Sequence, residues 1–563
     1  MRLIECVPNI SEGRDREKIN LIASAASEVE GVMLLDVDPG ASTHRTVITF
    51  AGEPENVAEA AFRLIKRASE LIDMSMHKGE HPRQGATDVC PFIPISGVSM
   101  EECVALSRKL GERVGKELGI PVYLYENAAQ SEERRNLANC RKGEYEGIEK
   151  IGSQEWKPDF GPSKVNEQVK RSGITTIGAR EFLVAYNVNL NTTSTRRANA
   201  IAFDIREAGR IVREGDPFTG KPILDEQGEP VRIPGTLKSV KGIGWYIEEY
   251  GIAQLSLNLT NINITPVHIA FEESCLKAAE RGIRVTGSEL VGLIPLQSLL
   301  DAGDYFLRKQ ERSLGISQRE KIHLAIKSLG LNDLAPFKPE EKIIEFVIAS
   351  KSKSSKRLVD LDLVAFCNET AAESPAPGGG SISAYCGAMG VSLGVMVANL
   401  SAHKRGWDDR WEEFSDWAVK GLQFQSQLLA LVDEDTSAFN RIMDSFGLPK
   451  STDEEKKQRS KAIEEATKYA IEIPMQTARL ALASMEVMEE MVNKGNPNSV
   501  TDAAVGALCA RTAVLGACMN ARINAASLKD KEYAEKVVSE VNAIEKQVDT
   551  TERRIRDAAS AKM

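Results

Sequence analysis

GGGSISAYCGAMGVSLGVMVANLSA, Gly378–Ala402, runs without one charged residue, and its reading decides the fold of the C-terminal third. A stretch of this length is long enough to span a bilayer. Its composition argues against that: Gly, Ser and Ala predominate over Leu, Ile and Phe, and charged, Trp-containing sequence follows at His403–Asp409. Small residues at helical spacing let helices approach closely, so the segment reads as the buried core helix of a bundle. The helical signal extends outward from it. Ser451 with Glu454, and Ser499 with Asp502, fit the S-x-x-[DE] helix start, and Lys529–Ala558 is continuous helix former. Pro474 is expected to kink or divide the 451–493 run. An all-helical bundle domain is therefore expected over 357–563, preceded at 349–356 by the polar linker ASKSKSSK.

Upstream of the linker, short β-type runs alternate with amphipathic helices. Val32–Val37, Arg45–Phe50 and Val122–Tyr125 read as strands, with helices around Glu55–Ile72 and Met100–Leu118. A faint internal echo divides the region. LIECVPNISEG at the start is answered by FLVAYNVNLNT after Glu181, and TDVCPFIPISG at Thr87 by SELVGLIPLQS at Ser288. The expected fold class is α/β, as two similar α+β subdomains over 1–182 and 183–348, followed by the helical bundle.

At 563 residues the chain exceeds what one core usually supports. Its formal charge of −10 argues against nucleic-acid binding, which needs a basic surface. The nine cysteines show no C-x-x-C pair and the start MRLIECVPN has no charged-then-apolar leader. Free thiols in a cytoplasmic protein, with no membrane span, are expected.

Two motifs carry chemistry. HKGEHPRQGATDVCPF holds two of the six histidines, His77 and His81, and matches the H-x-x-E-H zinc-protease pattern. Such pairs need a regular helix to share a face, whereas Gly79 and Pro82 make a loop. No metal is expected here. The segment is then either a surface loop with incidental histidines or one that presents an imidazole for proton transfer. In the helix around 412–443, steps of three or four give Phe424, Leu428, Leu431, Asp435, Phe439 and Ile442, an apolar stripe broken by one carboxylate, while Asp433 turns to a more polar side. A carboxylate on a buried face is costly unless paired or functional. Asp435 is thus either a general acid-base or the partner of an arginine such as Arg511. The glycines Gly378, Gly379 and Gly380 lack the G-K-[ST] of a phosphate loop, but at a helix start their N–H groups suit an anion or a pterin carbonyl.

Longer strings go further. VPNISEG (Val7–Gly13), DVDPGASTHRTVITF (Asp36–Phe50), HKGEHPRQGATDVCPFIP (His77–Pro94), DFGPS (Asp159–Ser163), GAREFLVAYNVNL (Gly178–Leu190) and KGIGWY (Lys241–Tyr246) closely resemble the glutamate formiminotransferase family, and SPAPGGGS (Ser374–Ser381) resembles the cyclodeaminase half of the bifunctional formiminotransferase-cyclodeaminases. The resemblance implies transfer of a formimino group from N-formimino-L-glutamate to tetrahydrofolate in histidine degradation. Ring closure of 5-formiminotetrahydrofolate to 5,10-methenyltetrahydrofolate with release of ammonia then follows. It implies His81 as the acid-base residue of the first step and Asp435, second Asp of V-D-x-D, as that of the second. Gly161, Pro162 and Ser163 correspond to the family's folate-contacting stretch, and the sequence departs from the vertebrate pattern just after it, at Lys164–Gly173. Arg45, Arg83 and Arg180 are candidates to hold substrate carboxylates. Tetrahydrofolate, in polyglutamylated form in the family, is the implied co-substrate, and a homo-oligomer, octameric in the family, the implied assembly. Two alternatives remain for the helical domain: a methenyltetrahydrofolate cyclohydrolase, or an oligomerisation scaffold.

Overall fold

The computed structural model describes residues 2–41, 44–78, 83–215, 219–351, 357–374 and 376–563. The chain forms two compact units, 1–302 with 325–353, and 303–324 with 354–563.

The first unit is mixed α and β, as the alternation of its sequence predicts. The strand Leu3–Cys6, continued at Asn9–Ile10, leads through helix Arg16–Ser27 to strands Val32–Gly40 and Arg45–Gly52, then helix Pro54–Leu71 and strand Thr87–Ser96. From residue 184 the same order returns: strand Val184–Leu190, helix Thr195–Ile205, strands Val240–Ile247 and Ile252–Leu259, helix Val267–Ala279 and strand Val285–Val291. Each half is thus a β-α-β-β-α-β split unit. In each, the first strand lies between the third and fourth and pairs antiparallel with both. The faint echo is a structural repeat, and the two pairs of echoing strings fall on corresponding strands. The first half adds Val122–Glu126 and Thr175–Ala179, parallel to each other and to Thr87–Ser96.

The helices cover one face of each sheet. In the first half Ile4, Ile48, Phe50, Phe92 and Leu124 are fully buried against them. In the second, the glycines of KGIGWY set the spacing: a Cβ on Gly244 would lie 2.3 Å from the backbone N of Asn199 on the covering helix. Asn199 in turn brackets Gly244, donating to its carbonyl and accepting from its N–H.

The second unit is helical, with helices Leu363–Ala371, Gly379–Ala402, Trp411–Gly447, Asp453–Lys494, Val500–Ala526 and Lys531–Ser560. Gly379–Ala402 and Pro497–Ala526 are long and apolar enough to cross a membrane, yet they pack on each other through small residues. A Cβ on Gly390 would meet the carbonyl O of Gly506 at 2.7 Å, and one on Gly506 the carbonyl O of Gly390 at 2.6 Å. All nine cysteines of the protein are free thiols.

Three local expectations shift. The capping box belongs to Thr452 and Glu455, one residue beyond the Ser451–Glu454 reading, and Ser499 precedes its helix without a side-chain cap bond. Helix Asp453–Lys494 runs unbroken through the buried Pro474, because packing on both sides offsets the one backbone bond proline removes. Of the expected linker, Ala349–Lys351 ends helix Ile344–Lys351, where Lys351 Nζ donates to the carbonyls of Leu34 and Leu35. Residues 352–356 lie outside the described residues.

The glycine contact is testable. Gly506→Val forces side-chain atoms onto the Gly390 backbone, a cost of about 1–3 kcal/mol for overpacking. Thermal unfolding should show a lower melting temperature, and an unchanged one would show that the helices do not meet there.

Candidate active sites

The described flanks of the motif HKGEHPRQG, His77–Lys78 and Arg83–Gly85, lie at one end of the first sheet. Its His81, with Gly79, Glu80 and Pro82, falls outside the described residues, but both flanks are anchored. His77 follows the short 3-10 turn Met74–Met76 in extended conformation, so no regular helix presents it to a metal. Its Nε2–H donates to the carbonyl of His44 at 3.1 Å, and its Nδ1 accepts from Arg83 Nε at 3.3 Å. With both nitrogens engaged and burial holding its pKa below the usual value, this imidazole is neutral and structural. Arg83 is spent in the same way: its terminal nitrogens donate to Glu144 and to both oxygens of Glu146. An open cleft of about 490 Å³ is lined there by Lys78, Arg83, Gly143, Glu144 and Glu146.

Behind the motif, Asp88 is 2 % exposed and clamps the backbone, accepting from the N–H of Gln84 at 3.0 Å and from Arg141 on its other oxygen. Arg45 stands beside this pair. Burial first, then the neighbouring Arg141, bring its guanidinium down to about 10, with Asp88 and Asp38 opposing. Arg45 and Arg83 thus share one end of the sheet. Arg180 is at the other end, about 16 Å along the strands, among Glu5, Tyr125 and Glu126. Gly161 is a third location: it holds φ +84° at the edge of the sheet, where a Cβ would meet Ile120 O at 2.4 Å. After it, Glu167–Ser172 forms a short helix capped by Asn166.

Two polar groups lie outside every candidate site read from the sequence. Glu5 is buried in the first strand, and desolvation lifts its carboxyl to about 7 although Arg180 opposes the rise. On the second sheet, the face away from the helices is polar but buried. Asn187, Asn189 and Gln254 are joined by Glu289 and Asp333: Gln254 donates to Asn189 Oδ1 at 2.8 Å and Asn189 to Asp333 at 2.9 Å. The signal was present as period-two alternation, Asn187-Val188-Asn189-Leu190 and Gln254-Leu255-Ser256-Leu257. Such a pattern ordinarily marks a solvated face, so burial was not legible from it.

In the helical unit, Asp435 projects from Trp411–Gly447 onto the first turn of Gly379–Ala402. Its Oδ2 accepts from the backbone N–H of Ser381 at 2.9 Å and from the Ser381 hydroxyl at 3.1 Å. A Cβ on Gly380 would lie 2.0 Å from Asp435 Oδ1, so glycine is required for the carboxylate to reach the helix start. The glycine turn does receive an anion, and it is one supplied by the protein. Burial raises the Asp435 pKa and the Ser381 bonds pull it back. Arg511 pairs instead with Asp549, so the arginine alternative for Asp435 falls away. Asp433 faces elsewhere and accepts the N–H of Leu358, tying down the chain after the linker. Asn520 lies within 3.3 Å of a Cβ on Gly379, and with Asn524 one turn later it interrupts an alanine-rich helix.

Comparison with known proteins bears on both units. Residues 3–180 match the formiminotransferase domain N-terminal subdomain, 185–349 the formiminotransferase domain, and 362–543 formiminotransferase-cyclodeaminase. A formimidoyltransferase-cyclodeaminase of Mus musculus is 42% identical over 544 residues, covering 96% of each chain. The chain belongs to the formimidoyltransferase-cyclodeaminase family. A glutamate formimidoyltransferase of Thermoplasma acidophilum is 44% identical over 55% of this chain and 93% of its own. A methenyltetrahydrofolate cyclohydrolase of Methylorubrum extorquens is 32% identical over 35% of this chain and 95% of its own. The family thus has relatives that carry either part separately.

Glu5 sets a pH-dependent prediction. Its folded pKa is raised, so the folded state keeps a proton that the unfolded chain has lost, and stability falls as pH rises from about 4.5 to about 7. Glu5→Gln removes that loss, which is on the order of 3 kcal/mol. The variant should melt higher than wild type at pH 8 and no higher at pH 4. An equal difference at both pH values would show that Glu5 does not titrate in this window.

Proposed function

We propose that this chain is a bifunctional folate enzyme of histidine degradation. Its first unit transfers the formimino group of N-formimino-L-glutamate to tetrahydrofolate. Its helical unit closes 5-formiminotetrahydrofolate to 5,10-methenyltetrahydrofolate and releases ammonia. The observation that carries this reading is the match to a formimidoyltransferase-cyclodeaminase over 96% of both chains, which spans both units.

In the first step N5 of the folate attacks the amidine carbon and loses a proton, and the departing glutamate nitrogen gains one. His81 is assigned to both transfers, since one group with a pKa near neutrality serves each in turn. The neutral His77 is excluded from that role by its two hydrogen bonds. In the second step N10 attacks the formimino carbon and gives up its proton, and Asp435, its pKa raised by burial, protonates the former imino nitrogen as its bond to that carbon breaks and it leaves as ammonia. Gly161–Ser163 and Gly378–Gly380 are assigned to folate. No resident metal is required by either step, the folate being polyglutamylated and the enzyme cytoplasmic, with no membrane span. The cyclohydrolase relative favours one competing reading, hydrolysis of methenyltetrahydrofolate by the helical unit.

Mixing the enzyme with tetrahydrofolate and formiminoglutamate while following methenyltetrahydrofolate absorbance and ammonia decides between them. Wild type should yield both products, His81→Ala neither, and Asp435→Ala should accumulate formiminotetrahydrofolate with cyclisation reduced at least a hundredfold. Transfer without ammonia release would leave the cyclohydrolase or scaffold reading.

Self-association is proposed through one apolar face of the helical unit. Ile382, Met389, Met396 and Leu400 on Gly379–Ala402 lie exposed in line, as do Val505, Leu508, Met519 and Ile523 on Val500–Ala526. Two such stripes on adjacent helices suit a second copy meeting like with like. Ile523→Glu with Met519→Glu should reduce the mass seen by sedimentation, and an unchanged assembly would place the contact elsewhere.

A further inference from the structure

The two oxygens of the Asp435 carboxylate stand in unequal surroundings. Oδ2 accepts the backbone N–H of Ser381 at 2.9 Å and the Ser381 hydroxyl at 3.1 Å. Oδ1 occupies the space that a Gly380 side chain would fill and, among the described residues, receives no donor. An ionised carboxylate offers about two lone-pair sites on each oxygen. Both sites of Oδ2 are therefore occupied, and a proton on this carboxyl belongs to Oδ1.

Ser381 is placed for this arrangement. A serine at a helix start ordinarily sits at the N-cap and satisfies its own helix. Ser381 instead lies fully buried at the third position of Gly379–Ala402 and donates to a different helix, while the N-cap, Gly378, makes no side-chain bond. The backbone N–H alone would dock Asp435 on the helix start as a cap, so the hydroxyl is additional to that structural task. A hydroxyl has one proton, and with that of Ser381 directed at Asp435, Thr436 Oγ1 is the donor of the 3.5 Å contact with Ser381 Oγ. Among the described residues no cation pairs with Asp435: Arg511 is held by Asp549 and Arg441 by Glu434. The adjacent acids are engaged elsewhere, Asp433 with the N–H of Leu358 and Glu434 with the hydroxyl of Tyr469. Burial raises the Asp435 pKa, and the Ser381 bonds oppose the rise.

We propose that Ser381 is a positioning residue of the cyclisation step, holding Oδ2 with two donors so that the proton delivered to the leaving nitrogen comes from Oδ1. The proposal rests on the cyclodeaminase reading above, with Asp435 as its acid, and adds a residue that itself moves no proton. The Oδ1–H bond breaks as an N–H bond forms on the departing nitrogen, and the bonding pair stays on the carboxylate, where the Ser381 donors hold the charge. The proton given up by N10 supplies the other hydrogen that the imino N–H needs to leave as ammonia. The methenyl cation thus forms against a new carboxylate, and charge balances.

The test is a double-mutant cycle in the full-length enzyme supplied with 5-formiminotetrahydrofolate, using Ser381→Ala, Asp435→Ala and the double variant. Ser381→Ala should lower kcat for cyclisation roughly tenfold or more, the worth of a hydrogen bond to a charged group, with KM within about twofold of wild type. In the Asp435→Ala background the same change should alter kcat by less than about twofold, because the hydroxyl then has no carboxylate to hold. An equal loss in both backgrounds, a rise in KM without loss of kcat, or a Ser381→Ala enzyme as fast as wild type overturns the role of Ser381 and leaves the cyclodeaminase reading standing. Cyclisation by Asp435→Ala at the wild-type rate, or no ammonia from wild type, overturns that reading and the proposal with it.

Discussion

A charge removed from water must be met by an opposite charge or by hydrogen bonds, and each site in this protein is a different answer to that demand. Asp435 is met by a helix start: the Ser381 N–H and hydroxyl take one oxygen, and the missing side chain of Gly380 lets the other approach. Asp88 is met by Arg141 and a backbone N–H. Glu5 is met incompletely, and its carboxyl rises to about 7. The apolar framework around these groups is ordinary. What distinguishes the molecule is where compensation is complete and where it is partial.

The same demand separates structural from chemical histidines and arginines. His77 and Arg83 stand in the most conspicuous motif of the chain, but their nitrogens are committed to His44, Glu144 and Glu146. They hold the segment's flanks, and a group held on every side has nothing left for a substrate. Arg45 is buried beside the Asp88–Arg141 pair at that end of the sheet. Arg180, about 16 Å along the sheet, serves a second acidic cluster that includes Glu5 and Glu126.

The repeat of the first unit shows how one architecture yields two surfaces. Both halves bury an apolar face under helices through the same β-α-β-β-α-β order. On the opposite face the first half carries Arg45, Asp88 and Arg141, and the second carries Asn187, Asn189 and Gln254. Alternation along a strand leaves that second face free to change without disturbing the packing beneath it.

The sequence by itself determined the division into α/β and helical regions, the close helix packing of Gly378–Ala402 through small residues, and Asp435 as the odd residue in an apolar stripe. These follow from local periodicity and composition, which survive in any single stretch of chain. It also contained the echo between halves, which gave two similar subdomains but not their common strand order, because a shared fold constrains only which face each residue occupies. The partner of Asp435, the commitment of Arg83, the raised Glu5 and the pairing of Asp88 with Arg141 were decided by the tertiary structure alone. Each depends on which distant segments exclude water from a charge, and that is a property of the packed chain with no trace in its local pattern.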